Sequence, residues 1–426
     1  VAVPTETGQA ATATASVQVD NTGPLVVLVK PAESAQRFLE GPELSVVAVI
    51  TDHSGVASVE VHVRGQAELS RPHTQPPTQV EETFTWAELF PEGVTGPTPV
   101  TVEVTATDVV GRTTQVQRVV TARSRRRWFF DTLGRVTRPP LAAPDGTIWV
   151  GSDVGAVIHL DAAGAELCRY AGTADEPVVS SPALAGSLVL FGTTARLRAL
   201  DPACGVSWTY PTAGVYYATP TFDPGRGAIY AASFDGTLHA LTTAGAATWT
   251  KVVSAGEIES SPVIDPVDGA IFVGSFDYQM YAFEPSGALR WRVPTGREIY
   301  GDPVRFGDRL YFTSTDRYLY AVRPADGSSV WPTAFATDGP IRSTPAIAAD
   351  GTILVSSQDG SLHAVDPAGG AERWHFATSG LDRAGPVVDG NGVIYQGTSD
   401  GTIHALSPAG VEHWGFATMD GIQSAG

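Results

Sequence analysis

Large aromatic residues recur about every 40 residues through the last two thirds of this sequence. They are Trp128, Tyr170, Trp208, Trp249, Trp291, Trp331, Trp374 and Trp414. Between them lie short strand patterns and tight turns without helical periodicity. The 45 Gly and 31 Pro residues also favour short strands over long helices. A repeat of this length built from strands predicts a β-propeller, with one four-stranded blade per repeat.

One repeat shows the four strand patterns in order: Ser260–Ile264, Gly269–Ser275, Gln279–Phe283 and Gly287–Trp291. Asp-Gly pairs at 235–236, 359–360 and 400–401 fall between the second and third strands, where a tight hairpin needs positive φ. This pattern resembles the pyrroloquinoline-quinone (PQQ)-type propeller repeat. That repeat occurs in quinoprotein alcohol dehydrogenases and in the lipoprotein propeller of the bacterial outer-membrane barrel-assembly machine. The resemblance implies a PQQ-like β-propeller from Trp128 onward, but it does not specify a function.

The strand pattern is compatible with two numbers of blades. Seven units carry all four strands, from the unit of Pro140 to the one that ends at Trp414. Before them, Trp128–Asp131 has the pattern of an outer strand alone, and after them Gly421–Gly426 begins another inner strand. The family that the repeat resembles usually closes eight blades with strands from both termini. We therefore expect an eight-bladed design with its last blade cut short; a seven-bladed ring with an extra strand is the alternative.

The first 122 residues follow a different pattern. Extended runs alternate with polar turns: Leu25–Val29, Leu44–Ile50, Val56–Val63, Val100–Ala106 and Thr114–Thr121. They predict a β-sandwich. Asp52–Val59 and Ala106–Arg112 resemble motifs of bacterial immunoglobulin-like surface repeats, in which D-x-x-G precedes one strand and A-T-D-x-x-G the last. The resemblance covers residues 23–122 and implies an immunoglobulin-like domain.

These patterns predict an all-β chain of four segments. Residues 1–22 have the pattern of the last strand and linker of a preceding immunoglobulin-like module, and residues 23–122 form the immunoglobulin-like sandwich. Residues 123–127 form a basic linker, for which we favour a solvated segment over a docking patch. Residues 128–426 form the propeller, with seven complete repeats.

Charge and hydropathy exclude several partners. The chain has 27 Lys and Arg against 45 Asp and Glu, a formal charge of −18, which argues against nucleic acid and anionic membrane surfaces. No apolar run approaches the length of a transmembrane helix. The sequence has no initiator Met and no signal peptide, and it opens inside a strand pattern. We expect a mature or excised piece of a longer bacterial protein that is secreted, periplasmic or at the cell surface.

The two cysteines, Cys168 and Cys204, fall on neighbouring blades. Quinone enzymes of the family that the repeat resembles place a vicinal disulfide over the cofactor, beside a calcium site and a catalytic Asp. No vicinal pair is present here, which argues against a cofactor, catalytic residues and enzyme activity. Cys168 and Cys204 could form a disulfide between the blades or stay as separate buried thiols.

Histidine and aspartate positions do not favour a metal site. Three histidines share one repeat position with two tyrosines: His239, His363, His404, Tyr281 and Tyr320. A position that accepts either His or Tyr is a packing position, so we predict no metal there. Three aspartates lie in predicted turns of the sandwich: Asp20, Asp52 and Asp108. Ordinary turn hydrogen bonding is favoured there over calcium binding between modules.

Comparing the blades with one another separates packing positions from positions available for a ligand. Each unit has an inner-strand proline: Pro140, Pro182, Pro220, Pro262, Pro303, Pro345 and Pro386. Four residues earlier stand Val136, Val178, Tyr216, Ile258, Ile299, Ile341 and Asp382. Apart from Asp382, we expect these to pack between blades. Three residues earlier stand Thr137, Val179, Tyr217, Glu259, Tyr300, Arg342 and Arg383. By strand alternation this second set faces the mouth of the central channel.

Two carboxylates, Glu257 and Glu298, precede their prolines by five residues and are expected to join the same face. The mouth would then combine carboxylates, tyrosines and arginines, and Arg and Tyr are favoured anchors of binding surfaces. The candidate binding residues are Tyr217, Glu257, Glu259, Glu298, Tyr300, Arg342 and Arg383. A solvated rim with incidental ion pairs is the alternative.

From these patterns we expect a non-enzymatic binding or scaffold protein, extracellular or at the cell surface. Immunoglobulin-like modules would serve as a stalk and the propeller would present an interaction face. The partner would be a protein or a glycan. Two alternatives stay open: a quinoprotein-like periplasmic dehydrogenase without the usual cysteine pair, and a glycan-binding propeller whose aromatic rings stack on sugars.

Overall fold

A computed structural model describes most of the chain: residues 15–16, 25–30, 36–38, 44–52, 55–74, 78–90, 98–109, 111–123, 130–378, 380, 383–418 and 421–422. The chain divides near residue 128 into two compact units. Among the described residues the helix α1 (Trp86–Leu89) is the one helix. The fold class is therefore all-β, as predicted.

The described residues of the first unit form nine strands: β1 (Ala15–Ser16), β2 (Leu25–Lys30), β3 (Gln36–Phe38), β4 (Leu44–Thr51), β5 (Val56–Arg64), β6 (Glu68–His73), β7 (Gln79–Phe84), β8 (Thr98–Asp108) and β9 (Thr113–Arg123). One sheet has the order β1-β2-β4-β7, and the other has the order β3-β9-β8-β5-β6. Residues of both sheets share one apolar core. On β5, for example, Val59, Val61 and Val63 are buried while the residues between them are partly exposed. The two sheets form a β-sandwich, and its immunoglobulin-like nature stays a prediction.

The structure bears on two sequence expectations for this unit, the strand before residue 23 and the aspartates in turns. Ala15 and Ser16 pair with Leu28 and Val27, so these two residues extend the first sheet of the sandwich. Their origin in a preceding module stays a prediction. Asp108 accepts a hydrogen bond from the backbone N–H of Arg112 at 2.8 Å, which is ordinary turn chemistry. Asp20 lies outside the described residues.

In the second unit, the part of the chain that the structure describes forms seven four-stranded sheets, one for each predicted repeat, which we number blades 1 to 7. Blade 1 has β10 (Leu141–Ala142), β11 (Ile148–Gly151), β12 (Val157–Leu160) and β13 (Glu166–Tyr170). Blade 2 has β14 (Ala183–Ala185), β15 (Leu188–Gly192), β16 (Arg196–Leu200) and β17 (Val206–Pro211). Blade 3 has β18 (Thr221–Asp223), β19 (Ala228–Ser233), β20 (Thr237–Thr242) and β21 (Ala247–Val252). Blade 4 has β22 (Val263–Ile264), β23 (Ile271–Ser275), β24 (Gln279–Phe283) and β25 (Leu289–Pro294).

The last three sheets repeat the arrangement. Blade 5 has β26 (Val304–Phe306), β27 (Arg309–Thr313), β28 (Tyr318–Val322) and β29 (Phe335–Ala336). Blade 6 has β30 (Ala346–Ile347), β31 (Ile353–Ser357), β32 (Ser361–Val365) and β33 (Glu372–Ala377). Blade 7 has β34 (Val387–Val388), β35 (Ile394–Gly397), β36 (Thr402–Leu406) and β37 (Glu412–Ala417). The architecture is that of a β-propeller.

Apolar clusters lie between successive blades. Between blades 4 and 5, Phe272 and Trp291 pack with Leu310 and Phe312. The anchor tryptophan also reaches the next blade by a hydrogen bond, since the indole N–H of Trp291 donates to the carbonyl of Pro324 at 2.8 Å. Four other anchors make the same link: Trp208, Trp249, Trp331 and Trp374. Each of these five rings packs on a glycine of the next blade's turn, such as Gly327 with φ +72°. The aromatic residue that recurs in the sequence therefore joins each of these blades to the next one.

Blade 1 departs from this arrangement. Its anchor position is held by Cys168 and not by the predicted Tyr170, because Cys168 pairs with His159 as Trp208 pairs with Ala199 in blade 2. Cys204 takes the turn position that glycine holds in later blades, with φ +65°. The two sulfur atoms form a disulfide. A covalent bond thus joins blades 1 and 2 where other interfaces have a tryptophan on a glycine.

The residues four positions before the inner-strand prolines pack between blades in most of the ring. Five of them are buried: Val178, Tyr216, Ile258, Ile299 and Ile341. Ile299 fills the space beside Gly274 of blade 4, where a Cβ atom would lie 2.2 Å from its Cγ2. For Val136 the packing prediction is wrong: it is 43% exposed, since no sheet precedes blade 1 among the described residues of this unit. Asp382 lies outside the described residues.

Ile422 repeats this contact after blade 7. Its side chain lies against Gly397, where a Cβ atom would meet it at 2.5 Å, and its N–H donates to the carbonyl of Thr398 at 2.9 Å. The N–H of Ile299 donates to Ser275 in the same way. Ile422 therefore begins a further inner segment. Trp128 and residues 423–426 lie outside the described residues, so the choice between an eight-bladed and a seven-bladed ring stays a prediction.

Candidate binding site

The residues three positions before the inner-strand prolines meet at one cavity of about 450 Å³. Every blade contributes its member of the set: Thr137, Val179, Tyr217, Glu259, Tyr300, Arg342 and Arg383. They lie in the irregular segments that lead into the first strand of each blade. Equivalent positions of seven radial sheets converge on the ring's centre, so the cavity is the central channel. Its volume is in the range of ordinary ligand pockets.

An ion pair crosses this channel. Glu259 of blade 4 accepts hydrogen bonds on one carboxylate oxygen from Arg138 of blade 1 at 3.0 Å and from Arg383 of blade 7 at 2.9 Å. The Glu259 side chain is only 12% exposed, whereas that of Arg383 is 39% exposed. The Arg138 guanidinium also donates to the carbonyl of Val179 at 2.9 Å. These bonds hold charged side chains at the centre with little freedom.

Aromatic rings form a continuous arc along blades 3 to 5. Tyr217 contacts Phe234 with ring centres 5.1 Å apart, Phe234 contacts Phe276 at 6.1 Å, and Phe276 contacts Tyr300 at 4.3 Å. The guanidinium groups of Arg342 and Arg383 lie 5.1 and 5.2 Å from the centre of the Tyr300 ring, within cation–π range. The arc and the two arginines form one mixed surface.

Residues directly before the prolines link neighbouring blades around the cavity. The N–H of Thr219 donates to Ser261 Oγ at 2.9 Å, the N–H of Ser261 donates to Asp302 Oδ1 at 2.5 Å, and the N–H of Asp302 donates to Thr344 Oγ1 at 2.9 Å. Asp302 places a carboxyl group where its neighbours have a hydroxyl. Burial raises the pKa of Asp302 to about 6, against the opposing hydrogen bonds from Ser261.

Asp302→Asn tests the protonation of this carboxyl group. The folded-state pKa of Asp302 lies above the ordinary value of 3.8, so the folded protein binds the proton more tightly than the unfolded chain. The stability contribution is therefore full below pH 4 and is lost as pH rises through about 6, with a span of about 3 kcal/mol. Asn keeps the acceptor oxygen without the charge. We expect the variant to be about 1–3 kcal/mol more stable at pH 8 and equal near pH 4, measured by urea unfolding. If the wild-type protein is more stable than Asp302→Asn at pH 8, the ionised carboxylate of Asp302 stabilises the folded state and the prediction is wrong.

Two predicted site residues do not line the cavity: Glu257 and Glu298. Glu257 is exposed, and its carbonyl accepts the N–H of Phe276 at 2.9 Å. Glu298 accepts a hydrogen bond from Thr315 Oγ1 at 2.7 Å, which lowers the pKa of its carboxyl. Strand alternation does not extend to these residues because the segment before each proline is irregular. The other five candidates line the cavity.

Two charged residues of the cavity lining escaped the sequence comparison: Arg138 and Asp302. Phe234 and Phe276 escaped it too; they do not line the cavity but contact its residues Tyr217 and Tyr300. Arg138 and Asp302 stand two and one residues before their prolines. Asp302 had a usable signal, since it is the one acidic residue directly before an inner-strand proline. Phe234 and Phe276 follow the second strands of blades 3 and 4, where the other blades have polar residues.

At the position shared by His and Tyr, three side chains contact an aspartate of their own blade. Tyr281 Oη donates to Asp277 at 2.6 Å, and Tyr320 Oη donates to Asp316 at 2.7 Å. His363 Nε2 lies 3.0 Å from a carboxylate oxygen of Asp359. Each aspartate belongs to the turn after the second strand of the same blade. Within the described ranges no three His, Cys, Asp or Glu side chains are placed to hold a metal ion.

Comparisons with known proteins place the chain among propellers. A family model described as outer membrane protein assembly factor BamB matches residues 112–333 and 234–406, which together span more than half of the chain. No curated protein matches the sequence. Nor does any helix of the described residues have the length and apolarity to cross a membrane.

Many solved structures match this chain, and two of them illustrate the shared fold. BamB from Moraxella catarrhalis has a TM-score of 0.58 at 20% sequence identity, with 67% of this chain and 89% of that chain covered. The computationally designed Ika8 protein has a TM-score of 0.56 at 12% identity, with 75% of this chain and 93% of that chain covered. At such low identities both are likenesses of fold alone.

Proposed function

We propose that this chain, which belongs to the family of the outer membrane protein assembly factor BamB, is a non-enzymatic scaffold that binds a protein partner at the mouth of its central channel. The observation that carries the proposal is the convergence of Tyr217, Tyr300, Arg342 and Arg383 on one cavity. Tyr and Arg are the side chains that most often anchor protein interfaces. The family description supports a protein as the partner, because it names an assembly factor.

The proposed location is outside the cytoplasm: secreted, periplasmic or at the cell surface. The disulfide between Cys168 and Cys204 supports this, since such bonds persist in oxidising compartments. We further propose that the N-terminal sandwich is an immunoglobulin-like stalk for the propeller.

The two alternatives have weaker support. A quinoprotein-like dehydrogenase of the usual kind needs a vicinal cysteine pair, and here the two cysteines of the chain are bonded to each other across two blades. A glycan ligand finds no support in the family description or in the names of the similar structures. Protein binding is therefore the function that we put to the test.

The double variant Arg342→Ala/Arg383→Ala tests the proposal. We expect it to fold as the wild type does, with a melting temperature lowered by at most a few degrees, because both side chains face the cavity instead of the packed interfaces between blades. Immobilised wild-type protein should retain a specific partner from an envelope extract of its native host, and the double variant should lose it.

The matched control is Arg373→Ala on β33, the outer strand of blade 6. Arg373 is ion-paired with Asp350 and Asp366 and is 36% exposed, much like Arg383, but it does not line the cavity. The control should keep the partner. Equal retention by all three proteins would overturn the channel mouth as the binding site, and a fall of ten degrees or more in the double variant would give the two arginines a structural role.

A further inference from the structure

The cavity is cationic within an acidic protein. Its described lining includes Arg138, Arg342 and Arg383 against the two carboxyl groups of Glu259 and Asp302. The whole chain, by contrast, carries a formal charge of −18. A concave site with an excess of one charge attracts ligands of the other sign, because its walls concentrate the field. The lining therefore favours an anion.

The side chain of Glu259 is an example of an anionic group, a carboxylate, bound at the centre of the ring. Its carboxylate reaches across from blade 4 and is held by guanidinium groups of blades 1 and 7. Arg383 takes part in this contact and still exposes 39% of its side chain. Guanidinium groups pair with carboxylates by parallel hydrogen bonds, which gives both strength and direction. The channel thus already holds one protein carboxylate, and a partly exposed arginine side chain, that of Arg383, lies beside it.

The aromatic arc adjoins this charge. Tyr300 is in contact with both Arg342 and Arg383, and Phe276 and Phe234 continue the apolar surface away from them. The matching positions in the other blades are polar: Asp153, Thr194, Thr315, Gln358 and Ser399. A ligand with an acidic group next to apolar groups would therefore meet matching chemistry on one side of the mouth only. Because the aromatic rings lie on one side only, they would fix the orientation in which such a ligand binds.

We propose that the channel mouth binds an acidic side chain of an extended segment of the partner protein, with the neighbouring apolar side chains on the aromatic arc. The proposal rests on the proposed function, that this mouth binds a protein. A cavity of about 450 Å³ admits one or two side chains of a peptide and no folded domain. Arg342 and Arg383 bind the carboxylate, while Phe234 and Phe276 receive the residues beside it.

Two capped peptides test this, acetyl-Gly-Phe-Glu-Phe-Gly-amide and its Gln counterpart, each titrated into the full chain. We expect the Glu peptide to bind at least tenfold more tightly, since only its side chain is charged. The Arg342→Ala/Arg383→Ala variant should bind both peptides with the wild-type affinity for the Gln peptide. Arg373→Ala, on the outer strand, should keep the full preference.

Three results separate this inference from the proposed function. Equal affinity of the wild-type protein for the two peptides would overturn the inference, and so would glutarate alone binding as tightly as the Glu peptide. If either occurs while the double variant still loses its partner from the extract, the channel mouth remains a protein-binding site with another chemistry. If the double variant keeps that partner, the proposed function fails, whatever the peptides do.

Discussion

Trp291→Ala is expected to lower the free energy of unfolding of the propeller by about 3–5 kcal/mol. The Trp291 side chain is one of the large buried groups of the chain, 9% exposed, and it fills the interface between blades 4 and 5. Its ring stacks on Phe272 with centres 5.7 Å apart and packs on Gly327 of the next blade. Alanine removes the ring and leaves a cavity that two rigid sheets cannot close.

A second loss adds to the cavity. The indole N–H of Trp291 donates to the carbonyl of Pro324 at 2.8 Å, and truncation leaves that buried oxygen without this donor. Trp291→Phe separates the two effects, because it keeps a ring and removes the N–H. We expect this control to cost about 1–2 kcal/mol. Urea unfolding followed by circular dichroism measures the stability of both variants. If Trp291→Ala unfolds at the wild-type urea concentration, Trp291 does not stabilise the interface between blades 4 and 5.

The propeller was predictable from sequence because most blades pack against the next one through the same pair of residue types. Trp291 and Gly327 form one contact between two blades, and a tryptophan meets a glycine in the same way at four other interfaces. The prediction was wrong in blade 1, where Tyr170 stands two residues after the true anchor position at Cys168. A disulfide there replaces the aromatic contact, and spacing alone cannot distinguish these two solutions.

The sandwich was predicted less completely. The strand patterns matched the buried strands, but β3, β6 and β7 were missed. β6 shows the reason: Glu68–His73 alternates between exposed and partly exposed residues and contains Pro72, so it lacks the apolar periodicity of a core strand. A strand at the edge of a sheet can form by backbone pairing to β5 with little apolar burial.

The candidate site was predictable as far as the repeat fixes a register. Tyr217 and Arg342 were found because a fixed position in each blade must face the same central cavity. Glu298 does not line the cavity, because alternation holds only in extended strands and the segment before each proline is irregular. The bond between Glu259 and Arg138 joins residues 121 positions apart, and no local pattern reports such a contact.

Breaking the disulfide between Cys168 and Cys204 is expected to lower the stability of the propeller by about 2–4 kcal/mol. The bond closes a loop with a sequence separation of 36 residues, which restricts the unfolded chain. It also replaces the tryptophan contact that joins later blades, so its loss leaves the interface between blades 1 and 2 without a substitute anchor. We therefore expect reduction of the disulfide to weaken the packing between blades 1 and 2 before it affects the other interfaces.

The measurement is urea unfolding with and without a reductant, together with the variant Cys168→Ala/Cys204→Gly. Glycine is chosen at 204 because the backbone there has φ +65°, where alanine would add strain of its own. The chain has two cysteines, so a reductant should shift the wild-type midpoint and leave the variant unchanged. If the wild type unfolds at the same urea concentration in both conditions, the interface is held by its apolar cluster alone, and the disulfide of Cys168 adds no stability.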